Sequence, residues 1–298
     1  MICKGNLFYF LMQATKRKMR YLFGNLLTYY APASLNRGEH EGNEQLIQQI
    51  LWKKEPHTTI SPFSIRWKIR YQFQQQGKSV YEKWDDVQRA RIPQSHTHDP
   101  QKFIDDDVMG FMTVKAATSN ENGTMNVRQG ALGTNRAISL TPYDGTTFNY
   151  YNSREKGKTS IHRTNVHNTR YQYCFALDSD HLIEKSRIFN LIDAFVNLGQ
   201  VGGHLNDSLF DFSPESMILR WTDDHCPRFL YCFEQNENEE IVAPRLIEQI
   251  EAEDIDSKEL WIGGEVSKRL NIDNAHIFRG VKATAKDIKI QIAKDLDI

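Results

Sequence analysis

Cysteine is scarce in this chain, four residues in 298, and Cys3, Cys174, Cys226 and Cys232 stand at irregular spacings. That excludes a disulfide scaffold of the secreted kind and fits a reducing compartment, so a cytoplasmic location is expected. Long apolar runs are missing as well. Residues 7–12 are apolar but number only six, too few to cross a bilayer, and Lys16, Arg17, Lys18 and Arg20 follow them where a signal peptide would have its charge first. No membrane partner is expected, and Met19 fits a functional start preceded by an extension, residues 1–18. An excess of charge is absent too: 37 Lys+Arg against 38 Asp+Glu give a net charge of −1, so composition by itself names no polyanionic partner. With 40% hydrophobic and 25% charged residues, the chain is neither collagenous, disordered nor polytopic. Its length suits one domain with large insertions or an added subdomain.

The balanced total hides a gradient. Residues 1–100 carry 15 Lys+Arg against 8 Asp+Glu, and residues 201–298 carry 11 against 20. A basic face for an anionic partner and an acidic face for a neighbouring copy of the same protein would both follow from this asymmetry.

Residues 20–33 are aromatic and aliphatic up to Pro32 and predict a central strand. The next ten, Ser34-Leu-Asn-Arg-Gly-Glu-His-Glu-Gly-Asn43, predict a ligand-approaching loop. Over 61–77 the helix signals are complete: Ser61 at the N-cap, Pro62 at the first position and Gly77 at the end. Ile65, Ile69 and Phe73 repeat every fourth residue as a buried stripe, and Arg66, Arg70 and Gln74 form a polar, mainly cationic stripe beside them. Residues 79–112 read as an insertion, and 115–135 as a protrusion with a flexible tip at Ser119-Asn-Glu-Asn-Gly123. Strands at 171–177, 217–221 and 229–233 and helices at 186–198 and 281–296 complete the expectation. The order strand, helix, insertions, strand, helix, strand, strand suits an α+β, split βαβ (ferredoxin-like) core of the RNA-recognition type.

Candidate chemistry is thin. His96, His98 and Asp99, or His225, Cys226 and Cys232, lack the spacing of a zinc site, and no metal or cofactor is expected. Cys232, alternating with Phe229, Tyr231 and Phe233, reads as a core residue. The Asp105-Asp106-Asp107 run has no paired nucleophile or histidine, and adjacent carboxylates diverge on any regular backbone, so capping is favoured over catalysis. Gly199-x-x-Gly202-Gly203 lacks the Lys-Ser/Thr of a P-loop; it can end a helix or let a phosphodiester backbone approach closely. The basic helix stripe, the basic glycine loops at 34–43 and 128–136, and many aromatics on such a core together point to nucleic acid.

The runs Leu35-Asn-Arg-Gly-Glu-His-Glu-Gly-Asn43, Ser61-Pro-Phe-Ser-Ile-Arg-Trp-Lys-Ile-Arg70, Asp105-Asp-Asp-Val-Met-Gly-Phe-Met112, Ala137-Ile-Ser-Leu140, and Val201-Gly-Gly203 leading to Asp211-Phe-Ser-Pro-Glu-Ser216 occur in this order. Over about residues 19–233 the chain thereby resembles the CRISPR-associated backbone subunits of type I Cascade, the DevR-like autoregulator family. The resemblance implies a right-hand shape: a modified RNA-recognition palm (19–78 and 151–233), a finger insertion (79–112) and a thumb insertion (113–150); beyond it, the residues themselves read 234–298 as an acidic segment and terminal helix.

It further implies a subunit that polymerises head to tail along crRNA, contacts other Cascade subunits, and presents guide bases to a target DNA strand. Asn36, Arg37 and Asn43 map to the loop beside the guide, and Ser61, Arg66 and Arg70 to the helix facing its backbone. Arg128 and Arg136 would bracket a thumb segment reaching the next copy and trapping RNA. After Gly203 the family pattern has a His between a polar and a basic residue, whereas this chain has His204-Leu-Asn-Asp207. No catalytic residue is implied. The alternative is a metal-dependent ribonuclease of the type III backbone kind, cutting target RNA through a carboxylate in the loop of Glu39 and Glu41. A duplex-DNA autoregulator lacks a helix-turn-helix signal.

Overall fold

The computed structural model describes residues 20–35, 37–41, 44–115, 124–155, 158–201 and 209–298. Among them nine strands form one sheet: β1 Tyr21–Thr28, β2 Gln49–Trp52, β3 Glu55–Ile60, β4 Leu132–Thr134, β5 Ala137–Ser139, β6 Tyr171–Asp178, β7 Pro214–Thr222, β8 Leu260–Gly264 and β9 His276–Phe278. The order is β9-β8-β7-β1-β6-β5-β3-β2, with β4 also paired to β6. All these pairs are antiparallel except β8 with β9. The helices are α1 Pro62–Gln75, α2 Ile104–Met109, α3 Arg187–Val196, α4 Pro244–Glu251 and α5 Val281–Leu296. The molecule is thus a mixed α/β protein built on a central sheet.

Both faces of the sheet are covered, which is why β1 is apolar almost throughout rather than alternating. Leu22, Leu26, Tyr173, Phe175 and Trp221 face α1, α3 and α5, whose Ile65, Ile69, Phe73, Leu191, Phe195 and Ile288 complete one core. Phe23, Leu27, Ile218 and Ile262 lie on the other face, under Phe229, Cys232, Phe233 and Leu246 of the acidic C-terminal part. Gly24 has a specific reason: the Phe175 ring occupies the space where a Cβ would stand, 2.1 Å from its nearest atom.

The helix signals at 61–77 act as expected. The Ser61 hydroxyl accepts from the Ser64 amide at 3.2 Å, Pro62 opens the helix, and Gly77 at φ 73° lies just past its end. Ile65, Ile69 and Phe73 are buried, and truncating Ile69 to Ala would cost about 2–5 kcal/mol.

Several expectations are corrected. The strand in 20–33 breaks after Thr28, and Ala31–Ala33 pairs instead with His167–Thr169. The expected loop at 34–43 contains a strand, Arg37–Glu41, which pairs with Glu44–Ile47 and through it with the hairpin Thr147–Glu155/Lys158–Asn165. Residues 229–233 are no strand: Phe229, Cys232 and Phe233 are buried and Leu230 and Tyr231 half-buried, without alternation, because Arg228 (φ 61°) and Tyr231 (φ 54°) adopt left-handed backbone and the segment lies flat on the sheet. The core aromatics expected to serve nucleic acid, such as Tyr171, Tyr173, Phe175 and Phe233, are buried. Within 113–150, β4 and β5 belong to the sheet, and the protruding part is the hairpin Gly110–Lys115/Thr124–Gln129. Residues 79–103 carry a second hairpin, Glu82–Asp85/Ala90–Pro93. Residues 1–18, the tip at 119–123 and His204 lie outside the described residues.

Candidate nucleic-acid interface

β1 ends where β6 and β7 begin: Leu27 is opposite Gln172, and Thr28 is opposite Pro214. The chain therefore leaves and re-enters the sheet at one end, so residues 29–35, 167–170, 197–201 and 209–213 gather there. α3 closes at Asn197, and Gly199 at φ 65° turns the backbone into the segment that runs to Val201. That segment is braced by the Phe212 amide donating to the Gly199 carbonyl at 2.8 Å and by a bridge between Gln200 and Asp211. From α1, the Gln72 amide donates to the carbonyls of Asn197 and Leu198.

Ser64, Lys68 and Gln72 make a further stripe at spacing four, one the sequence reading did not single out. Lys68 is half-buried; burial pulls the pKa of its ammonium down, its Nζ lies 4.9 Å from the Tyr71 ring, and a Cβ on Gly199 would stand 3.9 Å from its Cε. A cation is thus held beside the loop that leads toward Gly202 and Gly203. Trp67, stacked on Tyr71 and edge-on to Trp84, borders the same part of α1.

The residues proposed from sequence fall into separate groups. Asn36 and Asn43 lie outside the described residues, and Arg37 begins the strand Arg37–Glu41. Ser61 is the helix cap. Arg66 donates to the carbonyls of Met109 (2.7 Å) and Leu132 (3.1 Å), and burial, then the charge of Arg70, lowers its pKa from the ordinary arginine value. Arg70 donates to Asp105 at 2.8 Å and pairs with Glu82 at 3.4 Å. Gln74 exchanges two 2.9 Å hydrogen bonds with the backbone of Trp84. The stripe read as cationic and open therefore clamps the 79–109 insertion to α1. Arg128 donates to Asp107 (2.6 Å) and to the His181 carbonyl (2.8 Å). Arg136 has no ion-pair partner among the described residues, and its carbonyl accepts from the Tyr231 hydroxyl at 2.6 Å.

The three aspartates of α2 diverge as expected of adjacent residues, and all are buried. Asp105 takes Arg70 and the Tyr81 amide, Asp106 takes His98 and the Asp99 amide, and Asp107 takes Arg187, Arg128 and the Ile183 amide. Burial, opposed by the His98 hydrogen bond, raises the pKa of Asp106. His98 is stacked between Tyr81 and Phe111, apart from any ligand set with His96. Asp224, His225 and Cys226 bring possible ligand atoms within 4.8 Å, but Asp224 is committed to Arg228 at 2.8 Å and to Arg220. Against partial burial, those guanidinium groups and the Cys226 amide hold its carboxyl down to about 2.

No protein-family model matches the chain. A curated relative, "CRISPR-associated protein Cas7/Cst2/DevR" of Myxococcus xanthus (strain DK1622), is 34% identical over 281 residues, covering 88% of this chain and 92% of the relative. The chain belongs to the Cas7/Cst2/DevR family of CRISPR-associated proteins. Solved structures share its fold. One chain, from a "CRISPR RNA-guided surveillance complex, pre-nicking", superposes with a TM-score of 0.58 at 10% identity over 92% of this chain and 100% of its own. Another, from a "CRISPR RNA-guided surveillance complex", gives 0.58 at 14% identity over 92% and 99%. Among the described residues of this Cas7/Cst2/DevR member, no helix is long and apolar enough to cross a membrane.

Proposed function

We propose that this chain is a non-catalytic backbone subunit of a type I CRISPR effector complex, repeating along crRNA, gripping its phosphates and leaving its bases free to pair with a target DNA strand. The observation that carries the reading is the convergence, at one end of the sheet, of α1 with Lys68, the segment after β1 and the glycine-bearing segment after α3. Glycine backbone and a fixed cation suit a phosphodiester, which is recognised independently of base identity.

The antiparallel order β7-β1-β6-β5, with α1 and α3 on one face, supports a palm of the RNA-recognition type. In a free-standing module of that kind the other face stacks bases. Here residues 223–272 cover that face over β1, β7 and β8, which favours a phosphate path over the loop-bearing end. Arg37, with Asn36 and Asn43, is proposed to join that path. Arg66, Arg70 and Arg128 act on it by fixing the elements around it.

A repeat along a linear guide requires two different surfaces on each copy in head-to-tail contact. The charge asymmetry along the chain is in keeping with two such surfaces. The direct test is RNA co-purified with the complete complex: guide-length RNA with repeat-derived ends is expected, and its absence would refute the proposal. A complex that cuts complementary RNA in Mg²⁺, and stops when Glu41→Ala is introduced, would replace it with the ribonuclease reading.

A further inference from the structure

A cleft of about 820 Å³ opens on the sheet face away from α1, between the β2-β3 hairpin, the start of β6 and the acidic C-terminal part. Gln172 lies in its wall. Gln172 is only 4% exposed, yet its Oε1 is buried without a hydrogen-bond partner among the described residues. Leaving a buried amide unsatisfied costs free energy, so such a group is retained where something outside the chain completes it.

The surroundings narrow what that is. Tyr30 and Trp52 line the same cleft; Tyr30 is 55% exposed, and Arg170, held by Glu215 at 2.8 Å, lies 5.5 Å from its ring centroid. Aromatic rings beside an amide whose oxygen lacks a partner are the elements that stack and pair a nucleobase. The charges disfavour a phosphate inside: Glu55, Glu234 and Glu239 outnumber Lys53 and Arg170, and Lys53 is already paired with Glu234 at 2.7 Å. The volume is within the range that encloses a small organic ligand.

We infer that this cleft binds one base of a single-stranded nucleic acid, with the Gln172 amide hydrogen-bonded to the base edge and Tyr30 or Trp52 against its plane. Every base carries neighbouring donor and acceptor atoms on its pairing edge, and a primary amide can turn to match either order. The site is therefore tolerant of sequence, as a guide of variable spacer requires. The inference rests on the RNA-binding function proposed above and adds to it a contact with one base, which is withheld from pairing while the others stay free, separate from the phosphate grip.

The test uses the full-length protein and three probes of equal length: oligoadenylate, oligouridylate and an abasic ribose-phosphate chain. Wild-type protein is expected to bind both base-bearing probes at least about fivefold more tightly than the abasic one. Gln172→Leu, similar in size and without the amide, should lose about fivefold of that preference while abasic binding is unchanged. Tyr30→Ala, at an exposed side chain, is a second variant with the same expected loss and little risk to the fold. Equal binding of base-bearing and abasic probes by wild type, or a preference that survives both substitutions, overturns the base site, leaves the phosphate grip standing and assigns the cleft to a protein segment. Binding of none of the probes overturns both.

Discussion

Asp107 and Arg187 form a buried ion pair at 2.7 Å, joining the short helix α2 to the first turn of α3 across 80 positions of sequence. The carboxylate is fully buried; it also accepts from Arg128 and from the Ile183 amide, so it ties the insertion, the protruding hairpin and the core together. Removing one partner of such a pair leaves an uncompensated charge. Asp107→Ala should therefore destabilise the fold by about 3–5 kcal/mol, read as a lowered midpoint in urea denaturation. A loss under 1 kcal/mol would show that the site is open to solvent.

Arg70 and Arg37 are expected to separate cleanly. Arg70 is held by the buried Asp105, so Arg70→Ala should lower stability and expose residues 79–109 to limited proteolysis, with the salt dependence of RNA binding unchanged. Arg37→Ala should instead reduce the slope of log K against log salt by about 0.7, the value for one phosphate of a single strand, for every spacer tested. The reverse pattern would return the α1 arginines to the guide path.

A pH dependence follows from two buried histidines. His57 contacts the Ser139 carbonyl at 2.7 Å, and His167 contacts the Thr58 hydroxyl at 2.8 Å. Burial lowers the pKa of both from the ordinary histidine value of 6.5, so the unfolded chain binds the extra protons. Their stabilising contribution is complete above pH 6.5 and is lost as pH falls below it, by at most about 1.4 kcal/mol per pH unit for each proton. Urea midpoints between pH 7.5 and pH 5 should fall accordingly, and the double variant His57→Asn, His167→Asn should flatten the trend. Asp224, held down to about 2, has the acid-side signature: its contribution persists above the ordinary carboxylate range and disappears only as pH falls toward 2.

The parts of this fold that were legible in the sequence are those whose causes are local. Ser61, Pro62 and Gly77 delimit α1, and spacing by four identifies Ile65, Ile69 and Phe73, because cap and stripe are decided within one helix. The use of Arg66 and Arg70 was not legible, since their partners at 82, 105, 109 and 132 come near only after the insertion folds back. The segment 229–233 misled because its apolar residues Phe229, Cys232 and Phe233 are buried by lying on the sheet face rather than by pairing within the sheet. Lys68 did carry a signal, its stripe with Ser64 and Gln72, but nothing local tells which stripe meets the glycine segment. Gln172 sits in an apolar strand like any neutral residue, and its missing partner is visible only in three dimensions.

The last prediction concerns assembly. In the hairpin Gly110–Lys115/Thr124–Gln129, Met112 is opposite Val127 and Val114 is opposite Met125, so all four side chains share one face. They are 70%, 52%, 61% and 71% exposed, an apolar surface that the described chain does not cover. The base of the hairpin is rigid: Gly110 adopts φ 71°, a Cβ there would stand 2.3 Å from the Arg128 carbonyl, and Arg128 is anchored on Asp107. An isolated two-stranded ribbon is marginal in water, so an anchored one with an apolar face fits a contact made on assembly, here with the next copy along the guide. Deleting 119–136 would remove β4 and damage the sheet, so substitution is the sound test. Met112→Ser with Val127→Thr should leave the melting temperature of the free protein within about a degree, because exposed side chains add little to stability. The same variant should abolish ordered multimers on guide RNA in electron micrographs and in sedimentation. Multimers of normal length from it would exclude the hairpin from the interface between copies.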